Sequence, residues 1–252
     1  MAEIARQQLS EQERLSHEMG LHTEQLKGRL RQAFFDVDLT EASHGFSLPN
    51  AYDVDYNKRA EIDAANMAAN AVNLRLRELM QDGCGTVVIK NPGAKHSIAV
   101  GILNRLNLIV EGSLGYFGLG LIDGPNVRIS GRVGWSCAEN MMSGTIIVGG
   151  DTGAFTGFMM QRGRMVICGN AGKNLGDSMY DGTIYIAGEP ASLGVDAVWG
   201  AMTDLDRAWL ERKLRMYDLL PAEGVGAFRK IIAGKQLWNY DNLEPTEKKL
   251  VL

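Results

Sequence analysis

Cysteine is scarce. Cys84, Cys137 and Cys168 are the only three in 252 residues. An odd count without a Cys-x-x-Cys spacing argues against a disulfide framework, a zinc site or an iron–sulfur cluster. It fits packed thiols in a reducing compartment, hence a cytoplasmic chain. A basic excess is missing too: 26 Lys and Arg stand against 30 Asp and Glu, a formal net charge of −4. Phosphate backbones require a concentrated positive surface, so nucleic acid is not an expected partner. No apolar run approaches the ~18 residues of a membrane span, so no membrane partner is expected either. The opening MAEIARQQLSEQERL is charged and is not a secretory signal.

Catalytic signatures are equally thin. The four histidines are His17, His22, His44 and His96. His17 and His22 are five apart and do not share a helix face as a metal pair would. Neither a G-x-S-x-G elbow nor a P-loop occurs. The run Gly115-Tyr116-Phe117-Gly118-Leu119-Gly120 superficially suggests a phosphate loop, but Gly115 belongs to a longer pattern described next. No catalytic, cofactor-binding or metal-ligating residue is therefore assigned.

Glycine is abundant, at 30 residues. Gly93, Gly112, Gly131, Gly150, Gly169 and Gly188 recur at intervals of 19. Three residues on, a second column reads His96, Gly115, Gly134, Gly153, Gly172 and Ala191; a third holds Ala138, Gly157 and Gly176. The unit is G-xx-G-xxx-G, and a fixed period of this kind marks a solenoid. The corner glycines Gly112, Gly115, Gly131, Gly134, Gly150, Gly153, Gly157, Gly169, Gly172, Gly176 and Gly188 are the site residues expected to matter. Each either needs φ > 0 or lies where neighbouring backbones leave no room for a Cβ.

Apolar columns share the period. Leu108, Val127, Ile146, Met165 and Ile184 form one, and Val110, Ile129, Val148, Ile167 and Ile186 form another two residues later. Alternation of period two predicts strands with both columns facing inward. Ile109, Arg128, Ile147, Val166 and Tyr185 lie between them and face outward; several are apolar, so another element or a partner should cover that face. Ile122, Met141, Met160 and Met179 mark a second stretch per unit. The expected fold is mainly β: a right-handed parallel β-helix with ~19-residue coils and at least two short strands each, flanked by N- and C-terminal α-helices. Leucine-rich and hexapeptide repeats fit less well, because Leu-x-x-Leu-x-Leu is missing and the interval is 19 rather than about 18.

The expected organisation is a helical extension over 1–83, the β-helix over 84–200, and C-terminal helices with a docking tail over 201–252. Helices are predicted over 3–35 and about 61–81, with a loop at 49–55. Thr203-x-x-Asp206 reads as a capping box opening a helix to about Leu220, with a shorter helix around 223–233. The helix to Phe35 and the tail with Trp238 and Tyr240 carry apolar surface suited to another subunit. Asp151, Asp177 and Glu189 are the candidates for paired carboxylates. Asp151, Asn170 and Glu189 share a column with Ser113 and Arg132 inside a glycine turn, where such residues are common for local reasons. No column of convergent aromatics or acids is evident outside the coils.

The coils GGDTGAFTG (149–157) and GNAGKNLGDSMYDGTIYIAG (169–188) resemble the GXGXG β-helix domain of the glutamate synthase large subunit. The resemblance covers residues 84–190 strongly and the C-terminal helices loosely. In that family the domain is structural and follows a glutaminase domain and an FMN/iron–sulfur synthase domain. A domain standing alone behind its own helices resembles the split arrangement of N-methylglutamate synthase, and AFRKIIAGKQLWNYD (227–241) fits that subunit. The resemblance implies a non-catalytic subunit in a hetero-oligomer, between an amidotransferase-like (class II glutaminase) subunit and an FMN-binding subunit. FMN and any iron–sulfur cluster would lie in a partner, and none in this chain. Met1 is followed by Ala2, so the amidotransferase nucleophile, an N-terminal cysteine, is absent here. Two other readings are the GXGXG-bearing component of a formylmethanofuran dehydrogenase or formyltransferase/hydrolase complex, and a free-standing carbohydrate-acting β-helix.

Overall fold

The computed structural model describes residues 52–237. The predicted helix over 3–35, His17, His22, His44, and the tail with Trp238 and Tyr240 lie outside the described residues. Element order is β1 (Asp55–Asp63), α1 (Ala69–Gln81), β2 (Cys84–Lys90), β3 (Asn107–Glu111), β4 (Asn126–Ile129), β5 (Thr145–Val148), β6 (Arg164–Ile167), β7 (Thr183–Ile186), β8 (Ala197–Gly200), α2 (Asp204–Met216) and β9 (Arg229–Ala233). One sheet runs β1-β2-β3-β4-β5-β6-β7-β9-β8. Among the described residues, no helix is long and apolar enough to cross a membrane.

The chain is a parallel β-helix. Thr86 opposes Asn107, a step of 21 residues, which makes the first coil irregular. From there Asn107, Asn126, Thr145, Arg164 and Thr183 oppose one another at a constant step of 19. Each regular coil carries one well-formed strand rather than two. The second expected strand is reduced to a ladder of single parallel bridges through Leu114, Val133, Thr152, Ala171 and Pro190.

Both inward columns are buried in one core, and Ile122, Met141, Met160 and Met179 complete it from the opposite wall. Each such side chain is worth roughly 1.5–3 kcal/mol on burial. Val72, Leu76, Leu79 and Met80 of α1 belong to the same core, as do Ala197 of β8 and Ile231 and Ala233 of β9.

Over β5, β6 and β7 the outward column is covered by α2. Ile147, Val166 and Tyr185 pack with Trp209, Leu210, Leu214 and Phe228 in a second cluster. A 13-residue helix rises about 19 Å, enough to cross four strands spaced ~4.8 Å apart. Its contacts follow: Asp206 meets Tyr185 on β7, and Arg164 on β6 lies over the Trp209 ring at 4.5 Å.

Three element predictions need correction. The helix expected over 61–81 begins at Ala69, and its first residues, 61–63, belong instead to β1, which pairs with β2 in parallel. Only Ala60 and Ile62 look inward on β1; its remaining residues are exposed, as suits a strand at a sheet edge. The helix expected around 223–233 is a turn followed by β9, held antiparallel between β7 and β8. The helix opening at Thr203 is present but stops at Met216 rather than about Leu220.

Candidate functional site

The columns of corner glycines stack. The N–H of Gly131 donates to Gly112 O at 2.9 Å, Gly150 to Gly131 at 3.0 Å, Gly169 to Gly150 at 3.2 Å and Gly188 to Gly169 at 3.1 Å. A Cβ built on Gly131, Gly169 or Gly188 would fall within 2.5–2.7 Å of backbone atoms of the glycine one coil below. The second column behaves alike: a Cβ on Gly134, Gly153 or Gly172 would lie 2.5–2.7 Å from the carbonyl carbon of Gly115, Gly134 or Gly153. None of these six has φ > 0. Close backbone approach is what excludes a side chain there. Gly115 is held against His96, where a Cβ would strike the imidazole. Gly112 differs, with φ +137° and Pro92 beneath it.

Positive φ is used elsewhere. Residues 136, 138 and 140 are left-handed, and the pattern returns at 155, 157 and 159 and at 174, 176 and 178. Gly157 (φ +71°) and Gly176 (φ +67°) share this column with Leu119 and Ala138, both near +59°. A left-handed residue at every second position bends this arc, so the third glycine of the motif is a convenience and not a steric necessity.

The polar turn residues hold neighbouring coils together. Ser113 Oγ accepts the N–H of Arg132 at 3.0 Å, Asp151 Oδ1 that of Asn170 at 2.8 Å, and Asn170 Oδ1 that of Glu189 at 2.9 Å. Glu189 pairs with Arg229 at 2.8 Å. Asp177 accepts from Ser178 Oγ and from Val195 N–H. The three candidate carboxylates thus serve coil-to-coil and cap contacts. Among the described residues, no three His, Cys, Asp or Glu side chains gather where a metal could bind. Burial pushes the Cys137 thiol up to about 12 and the Cys168 thiol up to about 11. Both remain protonated near neutrality and are poor nucleophiles. Cys168→Ala should therefore change the thermal midpoint by no more than a few degrees, within the range of a mild truncation; differential scanning fluorimetry checks it.

A polar knot pins α2 to the coils. Thr203 Oγ1 accepts from Asp206 N–H at 3.1 Å while Asp206 Oδ2 accepts from Thr203 N–H at 2.8 Å, the reciprocal capping box. Asp206 also accepts from Tyr185 Oη at 2.6 Å and from Lys230 Nζ at 3.1 Å. Burial alone would raise the Asp206 pKa. The hydrogen bonds from Tyr185, Thr203 and Lys230 outweigh it and hold the carboxyl at about 2.

One face of the coils is unusually aromatic. The rings of His96 and Tyr116 stack at 4.5 Å with 8° between planes, and Tyr116 stacks on Trp135 at 5.2 Å and 24°. His96 Nδ1 also accepts the N–H of Tyr116 at 2.8 Å. Tyr116 and Trp135 are 19 apart, so an aromatic column in register does exist, which corrects the expectation of none. Both ring faces of Tyr116 are occupied by neighbours, while Trp135 at the end of the stack is 58% exposed. Beside the stack, α1 and the arcs line a groove of about 600 Å³ that includes Arg77, Phe117, Gly120, Leu121 and Glu139.

Comparison with known proteins gives a partial likeness. The chain is 36% identical over 86 residues to Protein GlxC of Rhizobium meliloti (strain 1021). The match takes in 34% of this chain and 38% of that relative. No protein family profile matches, and no solved structure does. The similarity to GlxC is thus partial on both sides.

The aromatic column is hard to see in the sequence because His96, Tyr116 and Trp135 are three residue types, and the first step is 20 rather than 19. The Asp206 knot is half visible there. The capping box is local, but Tyr185 and Lys230 come from 21 and 24 residues away.

Proposed function

We propose that this chain is the non-catalytic structural subunit of a glutamate-synthase-like multisubunit enzyme, N-methylglutamate synthase. It would link an amidotransferase-like subunit to an FMN-binding subunit. The overall reaction is methylamine plus L-glutamate giving N-methyl-L-glutamate and ammonia. One observation carries this reading. The first two glycines of the G-xx-G-xxx-G signature that resembles the GXGXG domain are backbone-stacked corners of a β-helix whose polar turn side chains are engaged in its own fold. The partial likeness to Protein GlxC is an additional, weaker support. In this reading FMN and any iron–sulfur cluster sit in a partner, and the chain works in the cytoplasm.

Fixing two active sites relative to each other needs a stiff connector, because catalysis across subunits is sensitive to ångström-scale placement. Reconstitution tests the reading. The purified chain should be colourless and inert toward glutamate and methylamine. Added to the flavin and amidotransferase-like subunits, it should restore methylamine-dependent N-methylglutamate formation. Full activity from those two without it, or stoichiometric flavin on the isolated chain, would reject the proposal. Formyl transfer in the native complex would reject it in favour of the formylmethanofuran-type complex.

A further inference from the structure

We infer that the groove between α1 and the coils binds a free α-amino acid with an apolar side chain, its carboxylate on Arg77 and its ammonium on Glu139. The two side chains stand next to each other. The Arg77 guanidinium lies over Gly101, with Nη2 3.7 Å from where a Cβ on that glycine would be. Glu139 lies over Gly120, with Cγ 3.4 Å and Oε1 3.9 Å from the corresponding point. The N–H of Gly101 donates to Gly120 O at 2.9 Å. The two glycines therefore belong to neighbouring coils, one strand spacing or ~4.8 Å apart. A cation and an anion are thus set side by side over bare backbone. Neither side chain makes a hydrogen bond or an ion pair among the described residues. Glu78, the acid beside Arg77 in sequence, is taken by Arg75 at 2.9 Å.

The charges and the walls select the ligand. A simple anion on Arg77 would also meet the Glu139 carboxylate, and a simple cation on Glu139 would meet the guanidinium. A wholly apolar ligand would cover both charges without pairing either, which is unfavourable. An α-amino acid carries a carboxylate and an ammonium on one carbon, so one small molecule satisfies both groups with charge-assisted hydrogen bonds. Closure of Arg77 onto Glu139 competes little, because exposed ion pairs contribute little. Phe117 and Leu121 line the same groove and are 47% and 48% exposed. An apolar ligand side chain covers them, whereas a charged one loses its hydration there. The volume of about 600 Å³ suits a small ligand. The frame is already in place. Asn73 Nδ2 donates to Ser97 O at 2.8 Å and Asn73 Oδ1 accepts the Ala99 N–H at 2.7 Å, which pins α1 to the first coil. Asn73 and Ser97 both line the groove, so little of it has to be ordered on binding.

Isothermal titration calorimetry of the full chain with L-leucine is the test. The wild type should bind one equivalent with a dissociation constant in the millimolar range. Leucinamide lacks the carboxylate and N-acetylleucine lacks the ammonium, so each should bind roughly tenfold more weakly. Arg77→Gln should weaken leucine by a similar factor and erase its preference over leucinamide. Glu139→Gln should do the same and erase the preference over N-acetylleucine. Neither side chain bonds to the rest of the fold, so both variants should keep the wild-type thermal midpoint. Absence of saturable leucine binding up to tens of millimolar overturns the inference. So does equal binding of leucine and its two blocked derivatives, binding that neither variant weakens, or L-glutamate binding as tightly as leucine. These readouts use the chain by itself and no enzymatic activity, so they fail or succeed independently of the complex proposed above.

Discussion

Replacing Gly153 by valine is expected to cost at least about 3–4 kcal/mol, at the severe end for a single substitution. For a body of this size that lowers the thermal midpoint by roughly 10 °C. Its Cβ would lie 2.5 Å from the carbonyl carbon of Gly134 and 2.6 Å from the amide nitrogen of Trp135. Both are backbone atoms of the coil below, bonded in turn to the coil beneath them. No rotamer change relieves the clash, so the coils must separate locally and give up the Gly153 N–H bond to Val133 O at 3.0 Å. Gly157 is the control. It has φ +71°, but a Cβ there meets only the Ile184 methyl at 3.1 Å, and Ala138 and Leu119 already take that conformation in the same column. Gly157→Ala should cost only about 1–2 kcal/mol, the left-handed penalty. Chemical denaturation of Gly153→Ala beside Gly157→Ala separates the two causes. Equal losses would mean that close approach is not what the second column of glycines serves.

This contrast marks how far the sequence can be read. The 19-residue period is visible because the fold repeats one environment per coil, and glycine fills the stacked corners of the regular coils. The inward columns and the covered outward column follow from alternation. What the period does not show is which physical demand each glycine meets, since φ and close approach leave the same letter. Elements outside the period are the ones the pattern misassigns. β1 reads DYNKRAEID and buries little, so nothing in its own pattern announces a strand; β2 templates it. β9 has only Ile231 and Ile232 in sequence as strong apolar signal, and its order depends on β7 and β8, which lie well before it along the chain. The irregular first coil likewise breaks the register that would have revealed the aromatic stack.

Asp206→Ala should be nearly as damaging as Gly153→Val, and its loss should carry a pH signature. The carboxylate is almost buried and serves four donors: Tyr185 Oη, Lys230 Nζ, and the backbone N–H and hydroxyl of Thr203. Truncation strands a phenol and a largely buried ammonium as well as opening the cap. Breaking one partner of a buried pair costs on the order of 3–5 kcal/mol, and the cap about 1 kcal/mol of its own. Tyr185→Phe removes a single hydrogen bond to a charged group and should cost about 1.5–3 kcal/mol. Because α2 crosses the outward face as a unit, freeing its first turn exposes Ile147, Val166 and Trp209 together, so Trp209 fluorescence should report the same transition. The Asp206 carboxyl titrates at about 2 in the fold, below the ordinary aspartate value. A depressed carboxylate stabilises fully above its unfolded pKa of about 4, and that contribution disappears as pH falls toward 2. It amounts to about 2 kcal/mol. The wild type should therefore lose its advantage over Asp206→Asn progressively between about pH 5 and pH 2. Parallel stability curves for the two proteins across that interval would show that the knot does not hold α2 in place.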